Sequence, residues 1–263
     1  MTCAAAAFAA TPILPGVETH HPVLSPDGTQ LLYSTPDHTG LSILNLADGS
    51  VRVLDTDAGA GFNPVFSMDG NTVFYRTAEL QDGLMYRDVR SYDLKGGKAT
   101  RVQAPSRRDV NLVALADSRY AVADYHNIIV SDGEGKTAAI SPLANAHSYL
   151  WASLNPKADR ILFTEPFEGV YVSDLDGTNA RRLLRKGDYP AWVNDRWIVA
   201  VHTRDDGYQV TQARLVAVDS YTGNHIDLTD DTVKVAEATA ANGRVVYTTI
   251  EGDTFIITPE FEQ

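Results

Sequence analysis

The side chains best suited to chemistry are seven histidines, at positions 20, 21, 38, 126, 147, 202 and 225, set among 34 acidic residues. Neutral imidazole binds divalent metals and exchanges protons near neutral pH, and a carboxylate beside it can complete a metal site or an acid–base pair. No nucleophile motif accompanies them. There is no G-x-S-x-G and no H-E-x-x-H, so the hydrolase elbow and the helix-borne zinc site are absent. "GEGKT" (Gly133 to Thr137) resembles the end of a phosphate-binding loop, but Val130 stands where the first glycine is required. "DLDGTN" (Asp174 to Asn179) brings its glycine too early for a calcium loop and lacks the closing glutamate. What the histidines do therefore depends on which elements carry them.

Those elements come as a repeat. "HPVLSPDGTQLLYST" (His21 to Thr35) returns as "NPVFSMDGNTVFYRT" (Asn63 to Thr77), with Pro, Val, Ser, Asp, Gly, Tyr and Thr unchanged. "LNPKADRILFT" (Leu154 to Thr164) matches the first phrase from Leu24 onward, and "YPAWVNDRWIVAV" (Tyr189 to Val201) keeps the Pro and the apolar run. "NLVALADSRYAVAD" (Asn111 to Asp124) and "EATAANGRVVYTT" (Glu237 to Thr249) are weaker copies. Self-similarity at this period marks a solenoid or a propeller. A second glycine turn follows about twenty residues into each of the first five units, as in "NLADGSVRVL", "DLKGGKATRV" and "SDLDGTNARRL". Asp-Gly and Gly-Gly between apolar runs close hairpins, because Gly, Asn and Asp adopt positive φ at small cost.

Each unit thus reads as strand A, a tight turn, strand B, a variable loop, strand C, a glycine turn and strand D. Runs such as Ile161-Leu162-Phe163 are apolar at consecutive positions, the signature of strands covered on both sides. The fold class expected is all-β: a six-bladed β-propeller of four-stranded antiparallel blades, starting near residues 20, 62, 110, 148, 189 and 234. The sixth unit runs out of chain before a strand D. The stretch from Thr11 to Val17 is expected to supply that strand and close the ring, with Pro12 and Pro15 tolerable only at an edge. A single propeller would then span 11–263, behind an alanine-rich leader or signal remnant at 1–10.

On this map His20, His21 and His147 fall between strand D and strand A, while His38, His126 and His202 fall in B–C loops; only His225 does not. Both loop types open on one face of a propeller. Asn63, Arg87, Arg107, Asp124, Glu165, Tyr189 and Arg204 map to the same face. With the six histidines they form the expected partner-binding surface, around a mouth to which His21, Asn63, Asn111, Tyr149, Tyr189 and Glu237 would contribute. Trp151 and Trp192 fall on strands and read as core residues, with a place at the channel as the alternative. "RRLLRK" (Arg181 to Lys186) reads as a charged outer edge that discourages pairing between molecules.

Net charge is −12, a surface that phosphate backbones repel, so nucleic acid is not an expected partner. No apolar run reaches the roughly 20 residues that cross a bilayer. One cysteine, Cys3, excludes an internal disulfide. "MTCAAAAFAATP" is small and apolar, with Ala7-Phe8-Ala9 shaped as a cleavage site and no Lys or Arg before Arg52. It reads as the remnant of an export signal.

"SPDG" before an apolar strand, with "L-x-D/N-G" before the outer strand, resembles the repeats of TolB-type propellers, bacterial periplasmic binding proteins. Ser25-Pro26-Asp27-Gly28 carries the full motif, Ser67-Met68-Asp69-Gly70 loses the Pro, and Asn155-Pro156-Lys157-Ala158 keeps only the Pro. Similar blades occur in prolyl-oligopeptidase-type peptidases and in oligogalacturonate lyases. The resemblance implies a non-catalytic, monomeric binding protein of the bacterial cell envelope, taking a protein or peptide partner and needing no cofactor. The alternative it leaves open is a metal-assisted carbohydrate-active enzyme, lyase or hydrolase, using the same histidines and carboxylates with a divalent metal.

Overall fold

The computed structural model describes residues 8–108 and 110–261. Cys3 and the first residue of the Ala7-Phe8-Ala9 site lie outside the described residues. The described residues pack as two compact units: 13–108 and 110–117 with 251–254, and 118–250 with the segments 8–12 and 255–261.

The strands form six antiparallel sheets. A short strand β1 (Thr11–Ile13) comes first. The first sheet is β2 (His20–Leu24), β3 (Gln30–Ser34), β4 (Thr39–Asn45) and β5 (Val51–Ala58). The second is β6 (Val65–Phe66), β7 (Thr72–Gln81), β8 (Leu84–Asp93) and β9 (Lys98–Ser106). A helix α1 (Leu112–Ala116) precedes the third sheet, β10 (Ala121–Asp124), β11 (Asn127–Ser131) and β12 (Thr137–Ile140). The fourth is β13 (Leu150–Leu154), β14 (Arg160–Glu165), β15 (Gly169–Asp174) and β16 (Arg181–Leu184). The fifth is β17 (Asp188–Trp192), β18 (Trp197–Asp205), β19 (Val210–Asp219) and β20 (His225–Asp227). The sixth joins β21 (Val235–Ala241), β22 (Arg244–Thr249) and β23 (Thr254–Ile257) to β1 as its outermost strand. These are the blades of a six-bladed β-propeller, and the N-terminal strand completes the last one as the sequence predicts.

The third unit departs from the repeat. Its expected strand A, from Asn111, is α1 instead. Leu-Val-Ala-Leu-Ala is rich in helix formers, and the Asn111 side chain caps the helix by accepting from the Val113 N–H at 3.0 Å. The helix packs on β6 and β7, and Arg76 reaches the Val110 carbonyl. Among the described residues the third sheet therefore has three strands.

The repeated phrase is a hydrogen-bonded turn. Ser25 Oγ donates to Asp27 at 2.6 Å and accepts from the Gln30 N–H at 2.9 Å. Ser67 repeats both bonds with Asp69 and Thr72. Asn155 substitutes its amide oxygen for the hydroxyl, accepting from Asp159 and Arg160. Gly28 and Gly70 hold φ of 70° and 67°, and Ala158 is forced to 53° at the equivalent place. These short-range bonds set the register of strands A and B in the first, second and fourth sheets.

Inner strands are buried along their whole length, as in β14, β15 and β22, while β5, β9 and β12 are largely exposed. The apolar core lies between successive sheets of each unit. Leu32, Ile43, Phe66 and Tyr75 fill one such layer. Ile128, Tyr149 and Phe163 fill a second, Leu162, Val172, Ile198 and Val216 a third, and Val199, Leu215, Val245 and Tyr247 a fourth. Burial of this apolar surface holds neighbouring blades together.

Candidate functional site

Strand A of three units carries the same bulge, and a fourth shares its positive φ. In the first sheet His20 pairs with Ser34 and Val23 with Leu32, so two residues oppose one. Leu150/Ser153 in the fourth and Asp188/Ala191 in the fifth repeat that count. The extra residue is His21, Trp151 or Tyr189, with φ of 48°, 48° and 51°. Asn63, just before β6, sits at 48°. Such bulges ordinarily take glycine, since a side chain at positive φ costs roughly 1–2 kcal/mol. Here the position carries imidazole, amide, indole and phenol. A bulge re-aims its residue away from the alternating pattern of the strand.

In the unit of residues 13–117 the bulge gathers an aromatic cluster. His21 and His38 have ring centroids 4.5 Å apart, and Phe62 lies 5.4 Å from each. His38 is itself at φ 56°. His20 places Nε2 3.6 Å from Glu18. Arg87 lies within β8, because the β7–β8 hairpin is longer than the sequence suggests and its turn is at Asp82-Gly83. Arg107 is exposed beyond β9.

The same unit holds an ionic network that sequence reasoning did not assemble. Arg90 bridges Asp55 at 2.9 Å, Asp57 at 2.8 Å and Asp88 at 3.3 Å, and Arg101 also reaches Asp88 at 2.9 Å. Tyr75 donates to Asp55 at 2.8 Å. Burial opposes the charge on Asp88, but bonds from Thr77, Arg90 and Arg101 outweigh it and hold the carboxyl below its usual range. The network borders a cavity of about 270 Å³.

In the unit of residues 118–250, Trp151 and Tyr189 meet with centroids 5.6 Å apart. Trp151, expected in the core, is 42% exposed, whereas Tyr149, expected at the mouth, is 1% exposed. Burial raises the Tyr189 phenol, and the charges of Glu237 and Asp188 add to it. Beside them is a cavity of about 230 Å³, lined by Trp151, Thr164, Arg185, Lys186, Asp188 and Thr203 among others. Burial pushes the Asp188 carboxyl above its usual value, against the pull of Lys186. Lys186 itself is held by Asp205 at 2.7 Å.

The other predicted residues divide between roles. Glu165 is fully buried. Its oxygens accept from the backbone N–H groups of Phe167 and Glu168 at 2.7 Å and His147 at 3.2 Å, so it shapes the β14–β15 turn. His147 Nδ1 stands 3.4 Å from it and packs edge-on against Phe167. His126 packs on Tyr125, next to Asp124 at the end of β10. His202 and Arg204, expected in a loop, lie within β18 opposite Arg214 and Gln212. Among the described residues no three His, Cys, Asp or Glu side chains are placed to hold a metal, and no helix is long and apolar enough to cross a membrane.

A four-residue spacing was the overlooked signal. His21, Asn63, Trp151 and Tyr189 each stand four positions before the residue that opens the A–B turn: Ser25, Ser67, Asn155 and Val193. Proline follows three of them, and Ala152 breaks that pattern after Trp151.

No protein family and no curated protein matches this sequence. Solved structures do. The β-propeller domain of Cps50 (Swd1) from Myceliophteria thermophila is 10% identical, with a TM-score of 0.62 over 96% of this chain and 100% of that one. The putative TolB from Agrobacterium tumefaciens is 15% identical, with a TM-score of 0.57 over 93% and 91%. An inactive virginiamycin B lyase from Staphylococcus aureus, crystallised with quinupristin, is 10% identical, with a TM-score of 0.59 over 96% and 100%. At these identities the likeness is one of fold: a TolB-like β-propeller fold shared by proteins of different activity.

Proposed function

We propose that this chain is a non-catalytic TolB-like propeller of the bacterial cell envelope, binding a protein or peptide partner through the strand-A bulge residues and the loops beside them. The observation that carries the reading is the recurrence of a large side chain at positive φ. Four units keep His21, Asn63, Trp151 and Tyr189 where glycine would relieve the backbone. Strain held in register across a repeat points to a function that uses those side chains. Imidazole, amide, indole and phenol suit a protein surface, since amphipathic aromatic groups supply most of the energy at interfaces. The likeness in fold to the putative TolB supports the choice of class.

The test is capture from an envelope extract by the wild-type protein and by a variant carrying His21→Gly, Asn63→Gly, Trp151→Gly and Tyr189→Gly. Relief of backbone strain offsets part of the packing lost at His21 and Tyr189, so circular dichroism first establishes that the variant is folded, and the folded variant should lose the partner. Retention of the same partner by the folded variant would overturn the reading. In this reading the protein works without a resident metal. Stoichiometric manganese, zinc or calcium in protein purified without chelator, lost on His21→Ala and His147→Ala, would instead favour the metal-assisted carbohydrate-active enzyme.

A further inference from the structure

We infer that Trp151, Tyr189 and Asp188 form a subsite for one basic side chain, arginine or lysine, of an extended peptide segment. The inference rests on the peptide-binding reading above and names the chemistry of one contact within it.

Three independent features converge there. The first is aromatic. Trp151 and Tyr189 bring two rings to 5.6 Å with a 37° tilt, and Trp151 remains exposed. Indole and phenol faces attract cations, and guanidinium also stacks on them. The second is a carboxylate without a partner. Among the described residues no hydrogen bond or ion pair reaches the Asp188 carboxylate, although the residue is half-buried and lines the cavity. A partly desolvated carboxylate in that state gains most from a charged donor. The third is size. About 230 Å³ is below the roughly 300 Å³ at which small-molecule pockets begin, and suits one side chain rather than a whole ligand.

Asp188 is the one acidic group of a lining that also holds Arg185 and Lys186, so the cation must be taken by Asp188 and the rings rather than by the lining as a whole. Lys186 lines it, but its ammonium is engaged by Asp205. Arg185 is exposed. Glu237, from β21 packed on β17, adds its negative charge at Tyr189. The whole chain carries −12, which steers basic segments toward it at low ionic strength.

Capped tripeptides Ala-Arg-Ala and Ala-Lys-Ala, with Ala-citrulline-Ala and Ala-Glu-Ala as controls, test the subsite by tryptophan fluorescence and calorimetry. Trp192 and Trp197 are buried, so Trp151 is the exposed reporter. The basic peptides should bind at about millimolar strength, perturb the emission, and weaken several-fold as salt rises from about 0.05 to 0.5 M. Asp188→Asn should lower affinity about tenfold, and Trp151→Leu should abolish the fluorescence response. Asp188→Asn preserves shape, so it decides the matter if Trp151→Leu does not fold. Equal binding of the citrulline peptide, or preference for the glutamate peptide, would overturn the cation assignment while leaving peptide binding intact. Absence of any response at about 10 mM would also overturn the subsite, whereas the partner-binding reading falls only if the four-glycine variant still captures its partner.

Discussion

Trp151 and Tyr189 occupy the same bulge position in successive sheets, both at φ near +50°, and their rings meet across the interval between β13 and β17. Tyr189 also packs against the core layer of Val199, Leu215, Val245 and Tyr247, whereas Trp151 is exposed. The extra residue turns each ring out of the pleat, so the contact depends on the backbone strain that makes it.

Asn63 isolates that strain, because it is exposed and at φ 48°. Asn63→Gly should leave stability unchanged or raise it slightly, and Asn63→Val should cost roughly 2 kcal/mol, since a β-branched side chain at positive φ clashes with its own backbone. Paired denaturant titrations measure the difference. Equal midpoints for the two variants would refute the strained geometry.

Ala158 poses the same question inside a turn. It holds φ 53° where the related turns use Gly28 and Gly70. Ala158→Gly should stabilise the fold by about 1 kcal/mol, or about 2–4 °C in Tm, as the αL penalty exceeds the added entropy of the unfolded chain. Differential scanning calorimetry decides it, and a fall in Tm would show that the turn is relaxed with alanine.

Asp88 is the buried hub of the Arg90–Arg101 network. Asp88→Ala should cost about 1–3 kcal/mol, because it leaves the buried Thr77 hydroxyl without its acceptor and takes one carboxylate from Arg101 and Arg90, while Arg90 keeps Asp55 and Asp57. Asp57→Ala, at an exposed carboxylate on the same arginine, should cost under about 1 kcal/mol. Similar losses for both would mean that the burial difference carries no weight.

Asp219 and His202 each contribute to the acid limb of stability, alongside other lowered carboxylates such as Asp88 and Glu165. Burial resists the charge on Asp219, but bonds from Arg196 at 2.8 Å and from the Tyr221 and Thr222 backbone lower it to about 2, against 3.8 unfolded. Its contribution, roughly 2 kcal/mol, is complete above pH 3.8 and lost as pH falls through 2. His202 is lowered from 6.5 by burial, then by Arg204, Arg214 and His225, against Asp227. Its neutral form favours the fold, so stability is complete above pH 6.5 and declines as pH falls from there through the lowered folded value. Thermal melts from pH 8 to 2 should show Asp219→Asn flattening the lower limb and His202→Gln the upper. Persistence of a limb in its variant would assign it to other groups.

The repeat and the hairpin turns were legible in the sequence, because Ser25, Asp27 and Gly28 act on residues two to five positions away, and the completion of the last sheet by Thr11–Ile13 was legible because the sixth unit lacks a fourth strand of its own. Local hydrogen bonds write themselves into short motifs. The helix at Leu112–Ala116 broke the pattern because Asn111 offered a cap to a run with no strand preference. His202, read as a loop residue, and Arg87 and Arg204, read on the loop face, lie in strands because hairpin length depends on how far two strands stay paired. The sequence points to Trp151 as core and Tyr149 as mouth, but the bulge between Leu150 and Ser153 turns Trp151 outward, and Tyr149, just before it, packs with Ile128 and Phe163 instead. Arg90 meets Asp55 across 35 positions, and Trp151 meets Tyr189 across 38. Such pairs are chosen by the packing of one sheet on the next, a long-range matter that no short window of sequence contains.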